Sequence, residues 1–132
     1  MIHHRDTATQ RLNQITEKVI GCGIEVHRAL GPGLLESAYE ECLCYELSQS
    51  RLKFERQVAL PVNYKGVKLD CGYRMDLITE DLVVIEIKAV ERIIAVHEAQ
   101  LLSYLKLANK PLGLLINFHV SVLENGLRRI RN

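Results

Sequence analysis

The segment from Leu82 to Ala89, reading LVVIEIKA, constrains this chain more than any other stretch. Side chains alternate across a strand, so Val83, Ile85, Ile87 and Ala89 share one face. Leu82, Val84, Glu86 and Lys88 share the other. Both faces begin apolar, which predicts a central strand covered by packed layers on each side. Glu86 and Lys88 then project together from an apolar strand. A carboxylate and an ammonium are costly there unless paired or bound to something.

The rest of the pattern supplies the covering layers. Ile15, Val19, Cys22, Val26 and Leu30 recur at helical spacing, and Gly31-Pro32-Gly33 stops the helix. A second helix is predicted from Leu35 to Ser48, with Leu35, Tyr39, Cys42, Leu43 and Leu47 as its apolar stripe. Phe54 to Tyr64 reads as extended with a break at Pro61, and Lys65-Gly66 as a turn. Alternation from Val67 to Leu77 predicts one continuous strand that ends at the Glu80-Asp81 turn. A third helix spans Val96 to Asn109, followed by a buried strand, Leu112 to Asn117. Asn125-Gly126 predicts a hairpin joining Val120–Glu124 to Leu127–Arg131. The expected fold is a mixed sheet with helices packed on it, α/β or α+β. With 48% hydrophobic and 25% charged residues, one domain over residues 1–132 with one core is expected.

Asp76 lies near the end of the strand preceding Glu86, on its polar face. If the two strands are neighbours, the two carboxylates converge, and a divalent cation relieves their repulsion. Mg²⁺ (or Mn²⁺) would take oxygen ligands from Asp76, Glu86 and the backbone carbonyl of Ile87. It would acidify water and neutralise charge on a phosphate, with Lys88 orienting the attacking water or the phosphate. The plainer alternative is a Glu86–Lys88 salt bridge at a strand end, worth about 0–1 kcal/mol when exposed.

Other residues join this set by position. Gln100 and Tyr104 share a face of the third helix, where they can meet a phosphate or stand as a solvated Gln and a half-buried Tyr. Glu36, in the first turn of the second helix, is favoured by the helix dipole and becomes a further ligand if that end faces the sheet. Tyr39 adjoins it. His27 is either a phosphate donor or a packing residue.

Together these residues resemble a known family. Gly33-Leu34-Leu35-Glu36-Ser37-Ala38-Tyr39 resembles the signature of the small bacterial GxxExxY proteins. Glu25 to Gly33 before it, and Leu112 to Phe118 near the end, are similar to its usual surroundings. That family is placed in the PD-(D/E)XK nuclease superfamily. The resemblance implies a restriction-endonuclease-like core with a central mixed sheet of about four strands flanked by helices. It makes Asp76, Glu86 and Lys88 the catalytic motif, Glu36 the acid from an N-terminal helix, and Gln100 and Tyr104 the Q-x-x-x-Y pair of the RecB-like branch. Met75 stands where the motif has Pro. No cysteine follows Cys71, so no iron–sulfur cluster is expected.

The net charge of +1 neither favours nor excludes nucleic acid. The expected partner is nucleic acid, DNA first, met through backbone contacts. Arg74, Lys106, Lys110, Arg128, Arg129 and Arg131 are candidates for those contacts, or a solvated basic surface. Aromatic residues are 5% and Trp is absent, which argues against a base-stacking platform. No apolar run reaches the roughly 18 residues of a membrane span, and Met1 to Asp6 lack a leader's apolar core. A cytoplasmic protein with four reduced cysteines is expected. A homodimer or a larger protein partner is the further partner expectation. The competing function is an accessory nucleic-acid- or protein-binding module that uses the nuclease fold without turnover.

Overall fold

The computed structural model describes the backbone of residues 5–132 and the side chains of residues 7–132. The reading of the opening residues as lacking a leader falls on side chains outside the described set.

Helix α1 (Arg5–Leu30) buries Ile15, Val19, Cys22 and Val26. It ends where the Gly31 amide reaches back to the His27 carbonyl at 2.8 Å. Gly31 and Gly33 adopt φ of 64° and 107°, a region that glycine occupies without strain. Helix α2 (Glu36–Gln49) follows and buries Tyr39, Leu43 and Leu47 completely. Leu35 lies outside the expected stripe: it precedes the helix and is 77% exposed.

Strands β1 (Phe54–Ala59), β4 (Arg74–Thr79), β5 (Val83–Lys88), β6 (Leu112–Asn117) and β7 (Leu127–Arg131) form one sheet in the order β1-β4-β5-β6-β7. Only β5 and β6 are parallel. A parallel pair needs a crossover, and helix α3 (Ala95–Ala108) provides it. Glu80 and Asp81, both at positive φ, turn β4 into β5, with the Leu82 amide on the Thr79 carbonyl at 3.0 Å.

Helices α1 and α2 cover one face of the sheet, over Leu77, Val83, Ile85, Ile87, Leu112, Leu114 and Ile116. Helix α3 covers the other, over Ile78, Val84 and Leu115. The strand Val83–Lys88 is thus central and two-sided. The fold is a mixed α+β arrangement of the restriction-endonuclease type, with five sheet strands where about four were expected.

Two expected strand arrangements fail. Val67–Leu77 is not one strand. Val62–Tyr64 (β2) and Val67–Leu69 (β3) pair only with each other, as a small hairpin hanging off the sheet. Its apolar residues Tyr64, Val67 and Leu69 are exposed, so their alternation reports no core contact. The Asn125-Gly126 hairpin is also absent. Leu123–Gly126 is a 3₁₀ turn, and β7 pairs with β6 instead. No helix among the described residues is long and apolar enough to cross a membrane.

Candidate active site

Strands β1 and β4 switch faces at one level. Phe54 packs against the α1–α2 side, yet Val58, which regular alternation would put on that side too, packs against the α3 side. Met75 and Leu77 part in the same way across Asp76. Gln57, between the Arg56↔Leu77 and Val58↔Met75 pairs, has φ of 49°. That left-handed conformation is unfavourable for a residue with a Cβ. It turns β1 over, and β4 follows.

The β4–β5 register stops just short of Asp76, at Leu77↔Ile85. Beyond it, side chains replace the backbone ladder. The Asp76 amide donates to Glu86 Oε2 at 2.8 Å, and the Ile87 amide donates to Asp76 Oδ2 at 2.8 Å. Each carboxylate is therefore anchored to the other's strand. Glu86 is only 7% exposed. Burial, then the charge of Asp76, pushes its carboxyl up to about 8, against the Asp76 amide and Lys88. Asp76 is also raised, mainly by burial, with the Ile87 amide and Gln57 opposing. Neither carboxylate nor Lys88 forms an ion pair among the described residues. The simple Glu86–Lys88 salt bridge is not formed.

Glu36 opens α2 and reaches the end of β5, where its Oε2 accepts the Ala89 amide at 3.2 Å. Its charge acts on both Asp76 and Glu86. Tyr39 explains how that helix start is held. Its ring stacks on Phe118 at 4.5 Å. Its hydroxyl donates to the Gly31 carbonyl at 2.6 Å and accepts the Leu34 amide at 3.1 Å. Tyr39 thus ties down the turn that delivers Glu36. Tyr39→Phe keeps the stack and removes both hydrogen bonds, so it is expected to lower the unfolding free energy by about 1–2 kcal/mol. A urea midpoint equal to wild type would show that the phenol does not hold the turn.

Three residues not singled out from the sequence complete this side. Glu40, one helical turn beyond Glu36, is buried at 8% exposure. It accepts Gln57 Nε2 at 2.8 Å and Arg56 Nη2 at 3.0 Å. Gln57 Nε2 also reaches Asp76 Oδ1 at 3.3 Å. Glu36 and Glu40 share a helix face, the one signal that spacing offers. Nothing in the sequence marks a left-handed Gln57. On β6, Asn117 Oδ1 accepts the Val90 amide at 3.0 Å and its Nδ2 donates to the Val90 carbonyl at 2.9 Å, fixing the chain just past Lys88.

On the α3 side, the charges of both acids act on Tyr104. Its phenol is raised by burial first, then by Glu86, Tyr73 and Asp76. Gln100 and Tyr104 line one open groove. His27 is engaged elsewhere: Nε2 donates to the Val120 carbonyl at 2.7 Å. Of the candidate basic residues, Arg74 lies beside the acids, where it donates to the Gln57 carbonyl at 3.4 Å, and three others are engaged elsewhere. Lys110 pairs with Asp81 at 2.7 Å, at the opposite end of β5. Arg129 binds Thr16 and Asn13 on α1, and Arg128 binds the Asn125 and Leu127 carbonyls.

The sequence model of the PD-(D/E)XK nuclease superfamily matches residues 13–130, which span every element that builds this site. The chain belongs to the PD-(D/E)XK nuclease superfamily. No curated protein and no solved structure matches it. Membership in the PD-(D/E)XK superfamily points to nuclease-type function and to nucleic acid as partner, and its nucleases usually use divalent metals. The donor set fits such an ion. It is all oxygen, and its most buried member is a carboxyl held from ionising by its surroundings, which a cation would reverse. Among the described residues, no three His, Cys, Asp or Glu side chains close into a cage.

Proposed function

We propose that this PD-(D/E)XK protein is a Mg²⁺- or Mn²⁺-dependent nuclease that hydrolyses phosphodiester bonds, acting on DNA in the cytoplasm. Asp76, Glu86 and the Ile87 carbonyl would hold the ion, with Glu36 as a further acid at the rim. The observation that carries this reading is the latched Asp76–Glu86 pair, two acids held together by each other's strands and joined by no ion pair among the described residues. When bound, the ion supplies acidified water and neutralises charge on the phosphate.

The chain's own groups do the remaining work. The Asp76 and Ile87 amides fix the two carboxylates before substrate arrives, so little reorganisation remains for the reaction. Lys88, on the same face as Glu86, forms no ion pair among the described residues and would present its ammonium to the water or the phosphate oxygens. Gln57 and Glu40 hold Asp76 from behind. Gln100 and Tyr104 border the substrate side, as expected for the RecB-like branch. Gly33, Glu36 and Tyr39 support a GxxExxY assignment: Gly33 shapes the turn, Tyr39 ties it and Glu36 reaches the strand end. Free thiols at all four cysteines fit a reducing compartment. An accessory module without turnover would gain nothing from burying the Glu86 carboxyl against an apolar face.

The test is incubation of purified protein with single- and double-stranded DNA and RNA in Mg²⁺, Mn²⁺ or EDTA. Glu86→Ala and Lys88→Ala run alongside. Cleavage is expected only with metal, and each substitution should lower it at least about a hundredfold. Cleavage in EDTA, cleavage by both variants at the wild-type rate, or no cleavage of any substrate would falsify the reading.

A further inference from the structure

The groove along α3 has the chemistry of a nucleobase subsite. It opens between the β2–β3 hairpin and α3, encloses about 470 Å³, and is lined by Val62, Tyr73, Val96, Gln100, Ser103 and Tyr104 among others. Two features argue against an ordinary surface depression. First, the Tyr73 and Tyr104 rings meet edge-on, with centroids 5.9 Å apart and planes at 62°, and Tyr73 is left 44% exposed. Second, its apolar walls are interrupted by Gln100 and Ser103, whose amide and hydroxyl can serve the hydrogen-bonding edge of a heterocycle. A purely apolar partner would bury those groups unpaired.

Two of the groove's residues tie it to the proposed metal site. Tyr104 lines the groove and lies within electrostatic reach of Glu86 and Asp76. Tyr73 precedes Asp76 by three residues, with the exposed cation of Arg74 between them. A strand whose phosphate lay at the carboxylates would bring an adjoining base to the groove. A base inside a duplex is stacked on its neighbours and cannot enter. The low aromatic content pointed away from stacking, but two of the five Tyr residues meet at this one place.

We infer that this groove takes one unpaired nucleobase, stacked on Tyr73, and that the substrate is a single strand or a frayed end. The inference rests on the nuclease reading for the placement of the phosphate. Its test is a binding measurement that needs no cleavage. Fluorescence anisotropy in Ca²⁺ would compare single-stranded DNA and RNA, blunt duplexes, and a strand of abasic sugar-phosphate. Tyr73→Ala is expected to weaken the better-bound single strand by about 5- to 150-fold, the range for losing one base–aromatic stack. Tyr73→Phe should bind as wild type. Duplex and abasic strand should bind Tyr73→Ala and wild type alike.

Equal single-strand binding by Tyr73→Ala and wild type overturns the inference. So does a loss that is the same for the base-bearing and abasic strands, or the absence of single-strand binding. A Tyr73-dependent single-strand preference without metal-dependent cleavage would retain the groove and remove the nuclease reading. Cleavage indifferent to Tyr73 would do the reverse.

Discussion

Replacing Glu86 by Gln is expected to stabilise the metal-free protein at alkaline pH while removing metal-dependent cleavage. The folded carboxyl is pushed from 4.5 to about 8, first by burial and then by Asp76. Between those values the folded protein holds a proton that the unfolded chain has released. Unfolding free energy therefore falls as pH rises through the window. Above it, the folded state carries the whole penalty of a buried carboxylate, on the order of a few kcal/mol. Gln does not titrate and still offers an oxygen to the Asp76 amide, which donates to Glu86 at 2.8 Å. In EDTA, the wild-type melting temperature should drop between about pH 5.5 and about pH 8.5 while that of Glu86→Gln changes less. Mg²⁺ or Mn²⁺ should restore wild type alone, because binding to the folded state stabilises it by mass action. Parallel pH profiles for the two proteins would mean that Glu86 does not bear this penalty.

The second large effect lies away from the acids. Gly126→Ala is expected to lower the unfolding free energy by about 3 kcal/mol or more, the upper end for forced overpacking. A Cβ on Gly126 would sit 2.1 Å from the Asn117 carbonyl oxygen and 3.1 Å from its carbon. Both are backbone atoms of the central sheet and cannot swing away. Asn117 also grips Val90 through both atoms of its side-chain amide, so the strain passes to the chain beyond Lys88. Gly21→Ala provides the contrast. Its Cβ would meet nothing within 4 Å, and Ala in a helix is better than Gly by roughly 0.5–1 kcal/mol. Urea midpoints of opposite sign for the two variants are expected. A Gly126→Ala midpoint at the wild-type value would show that the turn relaxes freely.

These residues show what was legible in the sequence. The central strand was, because Leu82–Ala89 is apolar on both faces and only a covered strand tolerates that. The convergence of Asp76 and Glu86 was too, because the Glu80-Asp81 turn makes their strands neighbours. Gly126 was recognised as special for the wrong reason. Asn-Gly suits a tight hairpin, but here the glycine is required by closeness to Asn117, a contact between segments that no local rule encodes. The Val67–Leu77 alternation misled because period two reports an extended chain, and it does not say whether both halves join the same sheet. The Glu40–Gln57–Asp76 chain was invisible. It depends on β1 pairing with β4 across the hairpin, and on a backbone conformation that the identity of Gln57 does not announce.

The β2–β3 hairpin has a consequence of its own. It leaves the sheet after Ala59 and returns at Arg74, and its base is closed by the Leu60 amide on the Tyr73 carbonyl at 2.9 Å. Its strands pair only with each other, so the excursion is a detachable module. A longer, shorter or differently charged segment can be grafted between Leu60 and Tyr73 while the sheet keeps its register. The acids, the helix that delivers Glu36 and the parallel strand pair all lie outside it. A chain built this way can exchange the rim of its cleft and leave the cleft's floor untouched, which lets one small scaffold diversify what it admits.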